Sequence, residues 1–332
     1  MGLETLFLTS GAFMGWSVGT QDASNVFGTA VGTKVIKFRT AIWLTAVFAV
    51  LGAVLVGQEV VSELGGVAHA HAVRTPLHAF IVMFVSAAVV TMMTLIKAPV
   101  STSQSIIGAL MGWGFAQSMG DFSRITRFFS AWIISPILTM FVCLMMCVIA
   151  QRFIEARVKG LAAYDRFIKI GYLVAGIFGA FSLGANNAGN AMGVYYHTGI
   201  FDGPVAALNS LLPFEVNVLF LATLMGGLAL ALGVLTYSKR VMLAVGEGIA
   251  KLSPLQGFLV VFSSSVTLLV FSIWGISIST SQAVVGAIMG ASFSKGHRGL
   301  DFKVLGRIFV AWFGTPTIAG LATFIIGRVF FS

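Results

Sequence analysis

Gly19-Thr20-Gln21-Asp22-Ala23-Ser24-Asn25-Val26-Phe27-Gly28 returns at residues 184–193 as Gly-Ala-Asn-Asn-Ala-Gly-Asn-Ala-Met-Gly. Two further pairs follow in the same order. Ser101-Thr102-Ser103-Gln104 with Gly108 and Gly112 comes back as Ser279-Thr280-Ser281-Gln282 with Gly286 and Gly290. Asp121-Phe122, Arg127, Ala131-Trp132 and Pro136 come back as Asp301-Phe302, Arg307, Ala311-Trp312 and Pro316. One half of the chain is therefore a diverged copy of the other. Paired polar, Gly-rich interruptions at matching positions of two apolar halves point to a transport site.

The apolar character comes from the whole chain, which is 58% hydrophobic and 9% charged over 332 residues. A soluble domain carries about 25% charged residues. Apolar runs at 41–57, 76–96, 129–150, 168–183, 216–236, 254–273 and 307–330 approach or reach the ~20 residues a spanning helix needs. They are continuous rather than alternating, which excludes a barrel. The expectation is an all-α polytopic membrane protein of roughly 10–12 membrane segments. The early polar motif argues against a cleaved leader. Cys143 and Cys147 read as buried, reduced thiols.

A net charge of +9 does not imply a nucleic-acid partner, because the basic residues sort by loop. Lys34, Lys37 and Arg39 form one group, and Arg152, Arg157, Lys159, Arg166 and Lys169 a second. Lys239, Arg240 and Lys251 form a third, and Lys295, Arg298, Lys303 and Arg307 a fourth. The equivalent loops of the other half are poor in them. With the rich loops cytoplasmic, Lys97 also falls inside and only Arg74, Arg124, Arg127 and Arg328 fall outside. Equivalent loops then lie on opposite sides. This predicts two inverted-topology repeats, 1–151 and 168–332, joined by a cytoplasmic linker at 152–167, with both termini outside.

Short apolar segments at 23–33, 103–119, 188–200 and 281–293 each begin at a repeated motif and read as half-helices of broken or re-entrant segments. Asp22 stands between apolar stretches, where an acid costs ~2.5–3.5 kcal/mol to insert. No Lys or Arg shares its motif, so a bound cation is the expected partner. Asn25 adds an amide oxygen, and Asn187 and Asn190 hold the equivalent positions. Such oxygen ligands suit a hard ion. The competing reading makes Asp22 a simple cap for a helix starting at Ala23. The two Ser-Thr-Ser-Gln segments, Ser101, Thr102, Ser103, Gln104 and Ser279, Thr280, Ser281, Gln282, are the candidates for binding a tetrahedral oxyanion through hydroxyls and helix-start N–H groups. Their competing role is close helix packing, which is the expected role of Gly108, Gly112, Gly286 and Gly290. His69, His71 and His78 read as a solvated outer loop. Asp121 and Asp301 read as interfacial salt bridges or caps with the arginines that follow. No Ser/His/Asp set, catalytic carboxylate pair or Cys/His metal spacing is present, so no enzyme is expected.

The paired motifs resemble the inorganic phosphate transporter (PiT) family, whose Gly-Ala-Asn-Asp-x-x-Asn-like signature matches Gly19–Asn25 and Gly184–Asn190. Its Pro-Val-Ser-Thr-Thr/Ser-like segments match Pro99–Ser103 and Ser277–Ser281. The resemblance spans nearly the whole chain. It implies a phosphate symporter of the cell membrane driven by sodium (protons in some members), with alternating access at a mid-membrane site, no organic cofactor, and a homodimer in the lipid bilayer. Asn187 departs from the signature by replacing an acid. Sulfate or another tetrahedral oxyanion is the alternative cargo, since fold constrains substrate loosely. An anion channel or a phospho-lipid enzyme would be functions of a different class.

Overall fold

The computed structural model describes residues 3–96, 100–157, 160–245, 252–294 and 302–331. Among these the chain is helical throughout. The first half holds α1 (Leu8–Gly32), α2 (Phe38–Val56), α3 (Gln58–Ala70), α4 (Pro76–Leu95), α5 (Thr102–Ala116) and α6 (Phe122–Arg157). The second holds α7 (Leu161–Met192), α8 (Asp202–Leu211), α9 (Val218–Val245), α10 (Pro254–Ile273), α11 (Thr280–Phe293) and α12 (Phe302–Phe330). Among the described residues seven helices are long and apolar enough to cross a membrane, namely α2, α4, α6, α7, α9, α10 and α12. Each covers one of the seven apolar runs to within two residues at either end. The protein is an all-α integral membrane protein.

Counterpart helices are legible from the repeated motifs: α1 with α7, α4 with α10, α5 with α11, and α6 with α12. The first pair packs antiparallel. Ser10 at the start of α1 shares a 2.6 Å hydrogen bond with Tyr195 just beyond the end of α7. At the other end Phe27 lies against Gly176. The close crossings are reciprocal and mostly join opposite halves. A Cβ on Gly19 would overlap the Leu230 carbonyl of α9, and one on Gly184 would overlap the Ala49 carbonyl of α2. Gly108 and Gly112 of α5 sit on the Pro316 and Gly320 carbonyls of α12. Gly286 and Gly290 of α11 sit on those of Pro136 and Met140 of α6. Small residues let backbones approach this closely, so both Gly-x-x-x-Gly stretches are used up inside one chain.

The structure corrects two expectations about local shape. The motifs at 19–28 and 184–193 do not break their helices: α1 runs through the first, and α7 runs through the second as far as Met192. Their glycines serve helix crossings, and the i→i−4 ladder continues beneath the polar side chains. The outer segment 57–76 is not a solvated loop but contains α3. His71 is buried, its Nδ1 bonded to the Val67 carbonyl at 2.8 Å, and His78 lies tilted against Trp113 with ring centroids 4.9 Å apart. The 152–167 segment is also mostly helical, since α6 runs to Arg157 and α7 begins at Leu161.

Charge collects at the two ends of the α1–α7 pair. Where α1 ends and α7 begins, Lys34, Lys37, Arg39, Arg166 and Lys169 cluster, and Lys239 lies over the Phe38 ring. At the opposite end Arg127 pairs with Glu63 at 3.1 Å. Asp121 accepts from the Ser123 amide at 3.0 Å and lies 3.8 Å from Arg124. The Ser123 hydroxyl and amide hold the Asp121 carboxyl below its usual range. His197 and His69 face each other with ring centroids 5.5 Å apart, and Arg74 bonds His69. Partial burial, with His69 and Arg124 nearby, lowers the basicity of His197. Asp301, Lys97, Lys159, Lys251, Lys295 and Arg298 lie outside the described residues.

Candidate functional site

Two short helices enter the bundle interior start-first. Ser101 is extended and caps α5 by accepting from the Gln104 amide at 3.4 Å. Ser279 caps α11 in the same way, accepting from the Gln282 amide at 3.3 Å. A hydroxyl that accepts from its own helix keeps its proton free to donate elsewhere. Ser103 and Ser281 point back toward these caps, with oxygens 3.5 and 3.1 Å from Ser101 and Ser279. All six hydroxyl residues of the two segments except Ser281 are buried. Each segment thus presents clustered hydroxyls and unspent N–H groups at the positive end of a helix dipole.

The two helix starts meet. Ser281 donates to the carbonyl of Val100, the residue preceding the α5 cap, at 3.2 Å. Thr280 donates to Asp22 Oδ2 at 3.1 Å, and Asn25 donates to Asp22 Oδ1 at 3.2 Å. Asp22 is 2% exposed in the middle of α1 and makes no ion pair among the described residues. Its mid-helix position excludes the capping role. Asn187 and Asn190 lie at the equivalent turn of α7, with Asn190 donating to Asn187 Oδ1 at 2.8 Å. The structure therefore gathers Asp22, Asn25, Ser101, Ser103, Ser279, Thr280 and Ser281 through contacts between the halves. No hydrogen bond joins Asn187 or Asn190 to either hydroxyl segment among the described residues.

Gln104 and Gln282 end these segments and also face α6 and α12. They line a cavity of about 380 Å³ between α6 and α12, with Trp132, Pro136, Trp312 and Pro316 among its walls. Both Oε1 atoms are buried without a partner. Asp22, Asn25, Asn187 and Asn190 do not line that cavity.

Gln21 and Asn186, whose role the motif spacing alone does not reveal, brace the two short helices. Gln21 Nε2 donates to the Val100 carbonyl at 2.9 Å. Its counterpart Asn186 donates to the Ile278 carbonyl at 2.9 Å and accepts from the Ile278 amide at 3.0 Å. Each ties the extended backbone ahead of a short helix to the polar motif of its own half. The available signal was their identical place in the repeat, immediately before Asp22 and Asn187.

A buried acid without a counter-ion among the described residues, held by an amide and a hydroxyl beside two helix starts in a bundle of apolar helices, is what a carrier of small ions requires. The fold and site define a polytopic membrane transporter. The sequence model of the Phosphate transporter family matches residues 18–168 and again residues 155–323. The chain belongs to that family, whose members are transporters and not enzymes. Two chains with the provisional name phosphate permease are similar along their whole length. The one from Thermococcus kodakarensis is 26% identical over 95% of each chain. That from Pyrococcus horikoshii is 26% identical over 98% of this chain and 97% of its own. A solved structure described as the sodium-dependent phosphate transporter matches with a TM-score of 0.82 at 23% identity, covering 99% of this chain and 100% of that one. That likeness concerns the fold.

Proposed function

We propose that this transporter imports inorganic phosphate in symport with sodium, by alternating access to the site between α1, α5, α7 and α11. The observation that carries the reading is Asp22: a buried carboxylate holding two donated hydrogen bonds and no cationic side chain. A carboxylate of this kind accepts from several directions at once, and a hard monovalent ion completes it. The cation shell is centred on Asp22 and Asn25 of α1, and Asn187 and Asn190 of α7 are the duplicate polar pair. Ser101, Thr102, Ser103, Ser279, Thr280 and Ser281 supply donors to the anion, and Gln104 and Gln282 border the site from the α6–α12 side. Sodium offsets the anion's charge, so empty and fully loaded carriers interconvert while partly loaded ones do not.

The antiparallel packing of α1 on α7 supports two inverted repeats, 1–151 and 168–332, that rock about the site. The basic cluster around Lys34 and Lys169 supports a cytoplasmic location for that end and for the 152–167 segment, with both termini outside a cell membrane. A homodimer in the bilayer would have to use faces other than the Gly-x-x-x-Gly stretches.

Uptake of labelled phosphate into proteoliposomes tests this reading. Accumulation that requires an inward sodium gradient and persists in excess sulfate is expected. Uptake abolished by sulfate, or driven by a proton gradient alone, would replace the cargo or the coupling ion. Flux without concentration would indicate a channel.

A further inference from the structure

The two copies of the polar motif are not chemically equivalent, and the structure shows how they differ. In α1, Asp22 only accepts. Asn25 and Thr280 each donate one bond to it, which leaves lone pairs on both oxygens. In α7, Asn187 is closed on itself. Its Nδ2 donates to the Leu183 carbonyl one turn earlier at 3.0 Å, and its Oδ1 accepts from Asn190 at 2.8 Å. The amide cannot be turned over, because Oδ1 would then face the Leu183 carbonyl, acceptor against acceptor. Where Asp22 offers a second anionic oxygen, Asn187 therefore presents an occupied N–H donor.

The contact from the opposite half is also one-sided. Thr280 reaches Asp22, while its counterpart Thr102 makes no bond to Asn187. Removing an ion from water costs several kcal/mol. A buried carboxylate offsets that cost, whereas the Asn187–Asn190 pair keeps one buried oxygen without a partner, Asn190 Oδ1, which carries no net charge and offsets far less of it.

We infer that Asn187 and Asn190 form no sodium site, so the paired motifs bind one cation, at Asp22, instead of two. This rests on the sodium-coupled reading above. The Asn187–Asn190 pair acts as an uncharged internal substitute for an ion. With one motif-bound sodium per phosphate, monovalent phosphate would move without net charge and divalent phosphate with one net negative charge.

The test is equilibrium binding of radiolabelled sodium to purified protein in detergent, alongside the sodium dependence of phosphate uptake. The wild type should give a Hill coefficient near 1. Asn187→Ala should leave the number of bound sodium ions unchanged, and Asp22→Asn should lower it by one. Asn187→Asp should add one bound ion and steepen the sodium dependence toward a Hill coefficient of 2. Loss of a bound sodium in Asn187→Ala, or a wild-type Hill coefficient of 2, would overturn the inference while leaving sodium coupling intact. Absence of both sodium binding and sodium-dependent uptake would overturn the coupling itself. Should Asn187→Asp fail to fold, the wild-type and Asn187→Ala measurements still decide the question.

Discussion

The hydroxyl of Thr280 donates to Asp22 at 3.1 Å, joining the start of α11 in one half to the middle of α1 in the other. This bond joins a hydroxyl segment to a polar motif, and its mirror bond from Thr102 to Asn187 is absent. A change of conformation that separates α11 from α1 must break it. The state of Asp22 is thereby linked to the relative position of the two halves.

Thr280→Val should raise the sodium concentration for half-maximal uptake by about tenfold or more, because a hydrogen bond to a charged group contributes ~1.5–3 kcal/mol. Thr102→Val should shift it by less than threefold or so. Sodium titrations of uptake at fixed phosphate check both. Equal shifts would show that the asymmetry has no energetic weight.

Asp22→Asn should abolish sodium-stimulated phosphate uptake and leave the melting temperature in detergent near or above that of the wild type. The amide removes a buried charge that costs stability when no ion is bound. Retained sodium dependence in this variant would sink the assignment of the cation site.

Gly184→Ala should destabilise the protein by about 1–3 kcal/mol or more. The new Cβ meets the Ala49 carbonyl, a backbone atom that cannot swing aside. Gly203→Ala in α8 meets nothing within 4 Å and serves as the control. Thermal unfolding followed by tryptophan fluorescence distinguishes the pair, and equal melting temperatures would rule out the tight α2–α7 crossing.

Acidification should loosen the turn at 193–200. His197 is held below its ordinary value of 6.5 by partial burial and by the nearby His69 and Arg124. The unfolded chain therefore takes up this proton before the folded one does. Stability from neutral His197 is complete above about pH 6.5 and falls as the pH drops below it. His197→Gln should flatten the melting-temperature profile between pH 7 and pH 5. An unchanged profile would assign the dependence to another group.

Much of this architecture was legible in the sequence because it depends on local signals. The seven apolar runs became seven spanning helices, and Ser101 and Ser279 cap α5 and α11 where the Ser-Thr-Ser-Gln segments suggested helix starts. The glycines at 108, 112, 286 and 290 pack helices, as their spacing indicated. The errors arose where a residue's partner is remote. Gly19 and Gly184 look like helix breaks until the carbonyls of Leu230 and Ala49, which they allow so close, are known. Gln21 and Asn186 gained a role only because Val100 and Ile278, about 80 and 90 residues away, bond to them. The cavity wall that Gln104 and Gln282 share with Trp132 and Trp312 likewise depends on α6 and α12, which their own segments do not encode.

The reciprocal packing of α5 on α12 and α11 on α6 has a consequence for synthesis. Helix α6 exposes the carbonyls of Pro136 and Met140 to glycines of α11, which leave the ribosome roughly 150 residues later. At ~5–20 residues per second, the first half waits on the order of ten seconds for its mates. During that time its half-built grooves face lipid or the insertion machinery. The close partners of α2, α5 and α6 lie in the second half, so a fragment ending at the linker should insert without maturing. The gene duplication that made the site also made the nascent chain dependent on reaching its last helix.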